Sequence, residues 1–487
     1  MARWAWWLLA TALVCESAAP QLAAAPPNIL LIVSEDHSPN LGCYGDPVAR
    51  TPNLDRLAAD GVRFTRAYVT QPGCSQSRSS ILTGLYPHQN GQIGLATHKY
   101  AMYRPDTPTL PGLLKQTGYR TGIIGKLHVN PESAFPFDFR WNDPASISFG
   151  KRDVRRIAEV AAQFMDRSAE PFFLSVNYPD AHVPFHKQQK GLPHKPLTPD
   201  DVKPLPWLPV DTPNVRKHLA NYLNCIGRLD VGVGLLLDAL KRSGKDRDTL
   251  VIFLSDHGAQ FSRGKMTCYE AGLRVPLIVR WPGTAKAGLV CDKLVSTIDL
   301  MPTILDAIGA ASPAGRPGVS LVPLLAGRSV RWRDHLFAEY TVHFPPMYFP
   351  QRSVRDGRYK LIVNLLNDRP NPVAAKYLAY GWDVTRESIA DAGPAFRRAW
   401  KTFVNPPPIE LYDLHEDPYE MNNLAGKPAY AAALARLREK LTAWQNQTAD
   451  PLADPAKLRK LTEEHDTLSD DYRKDPKFKW QYLNYLR

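Results

Sequence analysis

The sequence is poor in several features that would have assigned it quickly. Only 6 of its 487 residues are cysteine, and it holds no long Lys/Arg run, no nucleic-acid module and no internal repeat. No apolar stretch approaches the ~20 residues needed to cross a bilayer. An integral membrane segment and a nucleic-acid partner are therefore not expected. With 44% hydrophobic and 22% charged residues, the chain has neither the low apolar content nor the high net charge of a disordered protein. Collagen-like and coiled-coil compositions fail as well, and the length excludes a single-motif peptide. At a prior of ~150 residues per domain, two or three units fit, as does one large α/β domain with a small appendage.

What the chain does have is positive charge. Lys+Arg number 60 against 48 Asp+Glu, a net +12, and residues 1–25 contribute nothing to it because Arg3 and Glu16 cancel. A basic surface favours polyanionic partners, whether nucleic acid, an acidic membrane face or a sulfated or phosphorylated substrate. A solvated surface with no partner accounts for it equally well. Arg3, the apolar stretch Trp4–Val14 and the small residues Ala23, Ala24 and Ala25 have the layout of a secretory signal peptide, so residues 1–25 are expected to be removed and the protein exported, to a periplasm or the exterior. Bulky Val14 before Cys15 argues against a lipoprotein. Asn446-Gln447-Thr448 is the only glycosylation sequon, which disfavours a lysosomal destination. Past the leader five cysteines remain (Cys43, Cys74, Cys225, Cys268, Cys291), so at least one is unpaired, paired between chains or chemically employed.

Short apolar runs at Ile29–Val33, Thr121–Ile124, Phe172–Val176, Leu250–Leu254 and Leu277–Val279 read as fully buried strands of the kind found in a parallel sheet. Helical patterns lie between them, the clearest starting at Thr212-Pro213, running through Leu219, Tyr222, Ile226, Leu229 and Leu235, and stopping near Ser243-Gly244. This alternation predicts an α/β fold. Eight prolines between 184 and 213 predict an irregular excursion, a lid or wall above the sheet. A Pro and aromatic cluster at 345–350 precedes a strand-like Tyr359–Val363, and a domain boundary is placed there: 26–348 catalytic, 349–487 C-terminal. A helix is expected from Tyr430 to Trp444. The tail 451–487, with eight Lys/Arg and seven Asp/Glu, reads as a solvated wrapping segment.

In an open α/β sheet ligands bind beyond the carboxyl ends of the strands. There the chain places Glu35-Asp36, Lys126 and His128, Asp180 and His182, and Asp256-His257. Each alone is an ordinary strand-end residue; together they form a pattern. Glu35, Asp36 and Asp256 crowded together would repel unless a cation compensates, and an oxygen-rich set suits Ca²⁺ or Mg²⁺ better than structural zinc. Lys126, Lys265, Arg78 and the histidines would receive a tetrahedral oxyanion. Metal with cations points to phosphate or sulfate ester chemistry. The sharpest local feature is Gly73-Cys74-Ser75-Gln76-Ser77-Arg78-Ser79-Ser80-Ile81-Leu82-Thr83-Gly84, a thiol entering a helix beside a guanidinium.

That stretch resembles the sulfatase signature, a Cys-x-Pro-x-Arg core followed by Ser and then Leu-Thr-Gly. Gly125-Lys126-Leu127-His128, Asp256-His257-Gly258 and Tyr269–Pro276 also resemble sulfatases, and the likeness extends over nearly all of the mature chain. Tyr86–Gly91, Thr121–Lys126, Pro136–Phe139, Gln351–Val354 and Glu410–Asp413 resemble the sulfamidase branch, the N-sulfoglucosamine sulfohydrolases. The resemblance implies an alkaline-phosphatase-like large mixed sheet sandwiched by helices, with a smaller α+β C-terminal domain carrying an antiparallel sheet. It implies a sulfohydrolase acting on N-sulfoglucosamine at the end of a heparin-like or heparan-like chain. Cys74 would be oxidised to formylglycine by a formylglycine-generating enzyme. Its hydrated aldehyde would attack sulfur to form a covalent sulfo-enzyme intermediate, which the second hydroxyl resolves by elimination. Glu35, Asp36, Asp256, His257 and modified Cys74 would hold Ca²⁺, with Mg²⁺ as the alternative. Arg78, Lys126 and His128 would orient the diol, with His128 as base. Lys126 and Lys265 would contact the sulfate, and His182 would protonate the leaving group. Arg352 would clamp a sugar carboxylate or sulfate, and His343 lies where it could reach the pocket. A homodimer is compatible with the resemblance.

Two positions depart from the family pattern. Gln76 stands where the signature has Pro, a residue read by the modifying enzyme, and Glu35 stands where the family has an Asp. Two other readings stay open: an O-sulfatase on a related glycan, and a catalytically silent glycan-binding homologue in which Cys74 is not converted.

Overall fold

The structure is a computed structural model that describes residues 26–487; the expected signal segment, residues 1–25 with Cys15, lies outside the described residues. Its frame is a nine-stranded sheet. The strands are β1 (Asn28–Ser34), β2 (Val62–Tyr68), β3 (Arg120–Ile124), β4 (Phe139–Trp141), β5 (Phe172–Asn177), β6 (Thr249–Ser255), β7 (Arg274–Arg280), β8 (Leu289–Cys291) and β9 (Val295–Ser296). They lie in the order β4-β3-β5-β1-β6-β7-β2-β8, with β9 also paired to β2. All five apolar runs are strands. The central ones are buried on both faces because helices cover the sheet on each side, and that is why they read as continuous Val/Ile/Leu/Phe rather than as alternation.

The sheet is mixed, as the resemblance implied, and its reversed strand lies among runs that by themselves read as parallel. Strand β7 pairs antiparallel with both β6 and β2, while the other pairs are parallel. Two buried parallel strands and one buried antiparallel strand leave the same apolar signature, so the direction of β7 was invisible to pattern. The reversal has a functional consequence. The chain leaves β6 and re-enters β7 at the same edge, so the whole segment 256–273 stands over the carboxyl ends of the neighbouring strands.

The long helix Pro213–Arg242 matches its expected limits. The Thr212 hydroxyl accepts from Val215 N at 3.2 Å and Pro213 occupies the first turn. Its buried stripe includes Leu219, Tyr222, Ile226 and Leu229. The proline-rich excursion before it forms a wall, with Phe185 packed on Tyr222 and Phe261 at 5.3 and 5.8 Å.

The second sheet is four antiparallel strands in the order β10 (Leu336–Tyr340), β11 (Gln351–Arg355), β12 (Tyr359–Asn364) and β13 (Ile409–Asp413). Its first strand precedes residue 349. The helix expected at 430–444 spans Ala431–Thr448.

Two sequence expectations are overturned in this region. Arg352 does not face a substrate: it is wholly buried in β11, its guanidinium doubly bonded to Asp450 at 2.7 and 2.8 Å and 3.5 Å from Glu339. The partner carboxylates are distant in sequence, so a charged residue in a strand looked free. The tail is not merely solvated either. Trp480 and Tyr482 are buried, and Trp480 stacks on Tyr100 at 4.5 Å and His465 at 5.0 Å. Alternating charges masked the few aromatics that anchor it. All five described cysteines are free thiols, and no helix among the described residues is long and apolar enough to cross a membrane.

Candidate active site

The carboxyl edge of the large sheet gathers the strand-end residues around one thiol. Ser34 and Ser255 are register partners in β1 and β6, so the residues that follow them start side by side. The Asp36 amide donates to Asp256 Oδ1 at 3.1 Å, and Asp36 takes a left-handed backbone conformation, φ 49°. That is a costly state for a non-glycine residue and is held by its surroundings. The loops after β1 and β5 also lock together, Glu35 N donating to Asp180 O at 2.9 Å and Ala181 N to Glu35 O at 2.7 Å.

Cys74 opens the helix Cys74–Thr83, all of whose residues are buried. Its Sγ lies 3.3 Å from His257 Nε2 and 3.6 Å from Lys265 Nζ. Burial by itself would raise the thiol, but Lys126, Lys265 and His257 outweigh it and bring Cys74 to about 7. Arg78, one turn further on, donates through Nε to Asp256 Oδ2 at 3.1 Å and through Nη1 to Asn177 Oδ1 at 2.7 Å. Lys126 Nζ donates to Glu35 Oε2 at 2.9 Å, and Lys265 Nζ donates to both Asp36 oxygens at 3.0 and 2.8 Å. Burial disfavours ionised Glu35 and Asp36, yet Lys126 and Arg78 on the first and Lys265 on the second hold each at about 2. Burial opposes a charge on His257, and Asp256 and Asp36 reverse that, raising it to about 9.

The ligand atoms of Asp36, Cys74, Asp256 and His257 all lie within 4.8 Å of one another, and Glu35, Asp36 and His182 form a second such group. Buried carboxylates with one imidazole and the residue-74 side chain fit a hard divalent ion. Glu35, in the second group, pairs its oxygens with Lys126 and with Arg78, the latter at 3.5 Å, as Asp36 pairs both of its oxygens with Lys265.

Glu35, Cys74 and His182 of this cluster line a cavity of about 650 Å³, with Asp36, Asp256 and His257 buried behind them. Lys126, His128, His182 and Lys265 line it, as does His343. His128 also has a positive φ, 60°; burial and then Lys126 keep its imidazole neutral, and its Nδ1 has no partner. His182 donates from Nδ1 to Val183 O at 2.6 Å, leaving Nε2 3.9 Å from Asp36 Oδ2. Asp180, named with His182 at the strand end, does not face the cavity but is buried between two arginines.

Gln76 has a definite structural role. Its Nε2 donates to Val342 O at 2.5 Å and Ile93 O at 3.3 Å, and Gln71 Nε2 donates to the same two carbonyls at 3.2 Å each. A proline there has no donor to offer. Gln76 thus ties the Cys74 helix to the segment that carries His343 into the cavity.

Sequence reasoning missed the aromatic rim of Phe149, Phe344, Tyr380 and Trp382. Phe149 is 53% exposed and stacks on His182 at 4.4 Å, and Tyr380 stacks on Trp382 at 4.1 Å. Phe149, Phe344 and Trp382 come from loops and Tyr380 from the last turn of the helix Pro372–Tyr380, and no motif or period marks them.

Comparison with known proteins agrees with this geometry. The Sulfatase family matches residues 27–310, and the family described as N-sulphoglucosamine sulphohydrolase, C-terminal, matches residues 258–369. The N-sulphoglucosamine sulphohydrolase of Homo sapiens is 35% identical, covering 88% of this chain and 91% of its own. An ulvan-active sulfatase of Formosa agariphila is 30% identical, covering 88% and 82%. Among solved structures, BT4656 in complex with its substrate D-glucosamine-2-N,6-O-disulfate superposes with a TM-score of 0.65 at 22% identity, over 87% of this chain and 98% of that one.

Proposed function

Because the chain belongs to the sulfatase family, and so to the hydrolases of sulfate esters or sulfamates, we propose that it removes sulfate from N-sulfated glucosamine at the end of a heparin-like or heparan-like chain. The observation that carries the reading is the buried thiol of Cys74 at the start of a helix, with His257 and Lys265 against it and three carboxylates neutralised by Arg78, Lys126 and Lys265. The choice of sugar is supported by the 35% identical human relative.

Converted to formylglycine, residue 74 would supply a hydrated aldehyde as nucleophile. Asp36, Asp256, His257 and residue 74, with Glu35 beside them, would hold a divalent ion, which would supply positive charge for the sulfate. The rest of the work falls to the protein's own side chains. Lys126 and Lys265 line the cavity and, while paired to Glu35 and Asp36, receive sulfate oxygens with their ammonium groups. Arg78 keeps Asp256 and Glu35 charged and in place. His128 is kept neutral, which suits a base for the release of sulfate. His182, with Nδ1 anchored on a carbonyl, presents Nε2 to the departing nitrogen. The aromatic rim offers flat apolar surface to a sugar ring.

The silent-homologue reading is favoured by one observation, Gln76 in the place of the signature proline. Mass spectrometry of the Cys74 peptide, after expression alongside a formylglycine-generating enzyme, separates the two. The mass loss of aldehyde formation supports the hydrolase, and an unmodified thiol throughout supports the binder. Sulfate release from glucosamine N-sulfate against glucosamine 6-sulfate then tests the substrate. Activity on the 6-sulfate alone would refute the sulfamidase assignment in favour of an O-sulfatase.

A further inference from the structure

One buried guanidinium holds two lips of the cavity. Arg152 is 2% exposed and does not line the cavity, yet it reaches both loops that do. Its Nη1 donates to Pro179 O at 2.9 Å and Asp180 Oδ1 at 2.7 Å. Its Nη2 donates to Phe149 O at 3.2 Å, His182 O at 2.7 Å and Pro184 O at 3.3 Å. Asp180 is in turn gripped by Arg228 of the long helix, Nε to Oδ2 at 2.9 Å and Nη2 to Oδ1 at 2.5 Å. Asp180 and both guanidiniums have no exposed side-chain surface.

Stability is a poor explanation for such a group. A buried ion cluster regains little over well-packed apolar side chains, so its value lies in what it specifies. Here it supplies donors to loop carbonyls that no sheet or helix satisfies, and it does so with a rigid planar fork that lysine lacks. The carbonyl of His182 itself is one of the acceptors. The same guanidinium fixes Phe149, whose ring covers the face of the His182 imidazole at 4.4 Å with 19° between planes. The backbone, the ring face and, through Val183 O, the Nδ1 atom of His182 are thus all restrained. Only Nε2 is left facing the cavity.

We propose that Arg152, seated on Asp180 and Arg228, is a positioning residue for His182, holding Nε2 over the departing atom of the substrate. The proposal rests on the sulfohydrolase reading. His182 enters the step as the imidazolium, its Nδ1–H on Val183 O and its Nε2–H on the cavity side near Asp36. When the S–N or S–O bond breaks, the electron pair leaves on nitrogen or oxygen, which takes the Nε2 proton and leaves a neutral Nδ1–H imidazole, while sulfur is taken by the nucleophile at residue 74. The demand for that proton depends on the leaving group: an amine requires it, and a nitrophenolate does not.

The test uses full-length protein with Arg152→Lys and Phe149→Leu, assayed on glucosamine N-sulfate and on 4-nitrophenyl sulfate. Phe149 is more than half exposed, so its substitution leaves the fold intact. A displaced general acid should lower kcat on the sulfamate by about 100-fold for Arg152→Lys, with little change in its KM or in aryl sulfate turnover. For Phe149→Leu, whose ring also belongs to the cavity rim, the loss of kcat on the sulfamate should exceed that on the aryl sulfate. Equal losses on both substrates would overturn the proposal. A second readout does not need turnover. The amides of Ala181 and His182 are bonded to Glu35 O and Pro179 O, so Arg152→Lys should speed hydrogen exchange across 179–184 while the Cys74 helix stays protected. Unchanged exchange there would overturn the proposal too, whereas faster exchange in a protein that cleaves neither substrate would sink only the sulfohydrolase reading.

Discussion

Burial ordinarily raises a cysteine thiol, as it does for half-buried Cys43 and fully buried Cys268, both pushed up to about 12 by burial first of all. Cys74 differs because two lysines and an imidazole surround it, which supports the proposal that it is the employed thiol among five. Replacing it tests this directly. Cys74→Ala should release no measurable sulfate from any sugar substrate, while its unfolding free energy in urea stays within about 1 kcal/mol of the parent. Residual turnover above background would remove residue 74 from its role. The acidic pair at Glu35-Asp36 and the His257 position were legible in sequence because each follows an apolar run, and the signature stretch because it resembles the sulfatase motif. Phe149 and Arg152 were not, because a single aromatic or arginine in a loop acquires meaning only from what it touches.

At the scale of elements, strand ends and helix starts do most of the placing. The helix Pro52–Ala59 shows a less local device. Its first amides, Asn53 N and Leu54 N, are accepted by Asp230 Oδ1 at 3.0 and 2.8 Å, so a carboxylate on the long helix caps a helix 177 residues earlier. The helix's own N-cap residue, Thr51, makes no such bond from its side chain. Asp230→Ala should therefore cost about 1–2 kcal/mol in urea unfolding at neutral pH. An effect below about 0.5 kcal/mol would show that water replaces the carboxylate without penalty. Sequence could delimit the long helix from Thr212-Pro213 and its apolar stripe, but a cap supplied by a different element leaves no local trace.

For the whole molecule, the pair Arg352–Asp450 ties the antiparallel sheet to the end of the Ala431–Thr448 helix. Burial would raise the Asp450 carboxyl, but Arg352 holds it well below the usual carboxylate range. A carboxyl depressed in the folded state contributes stability that is complete above its unfolded value, near 4, and is lost as pH falls below it. The parent should thus lose stability between about pH 4 and 2 partly through this group. Arg352→Ala, which strands a buried carboxylate, should cost about 3–5 kcal/mol at neutral pH and show a shallower acid dependence in urea titrations. A stable variant with altered KM would instead return Arg352 to the pocket. Trp480→Ala should release the tail at a cost of about 3–5 kcal/mol, read as new proteolytic cleavage after residue 466. An unchanged digestion pattern would mean that Tyr482 and Tyr472 hold the tail without it.

Composition and pattern by themselves determined the α/β class, the strands of the sheet centre and the long helix, and set Glu35-Asp36, Lys126, His128 and Asp256-His257 at strand ends, because buried strands must be apolar and polar groups collect where they stop; the motif resemblance singled out Cys74. Tertiary structure alone decided the direction of β7, the burial of Arg352 against Asp450, the docking of the tail and the arginine lock behind His182. Each of these depends on which groups meet across tens or hundreds of residues. A charge carries the same letter whether it faces a substrate or a buried partner, and only the desolvation and pairing set by the fold tell the two apart.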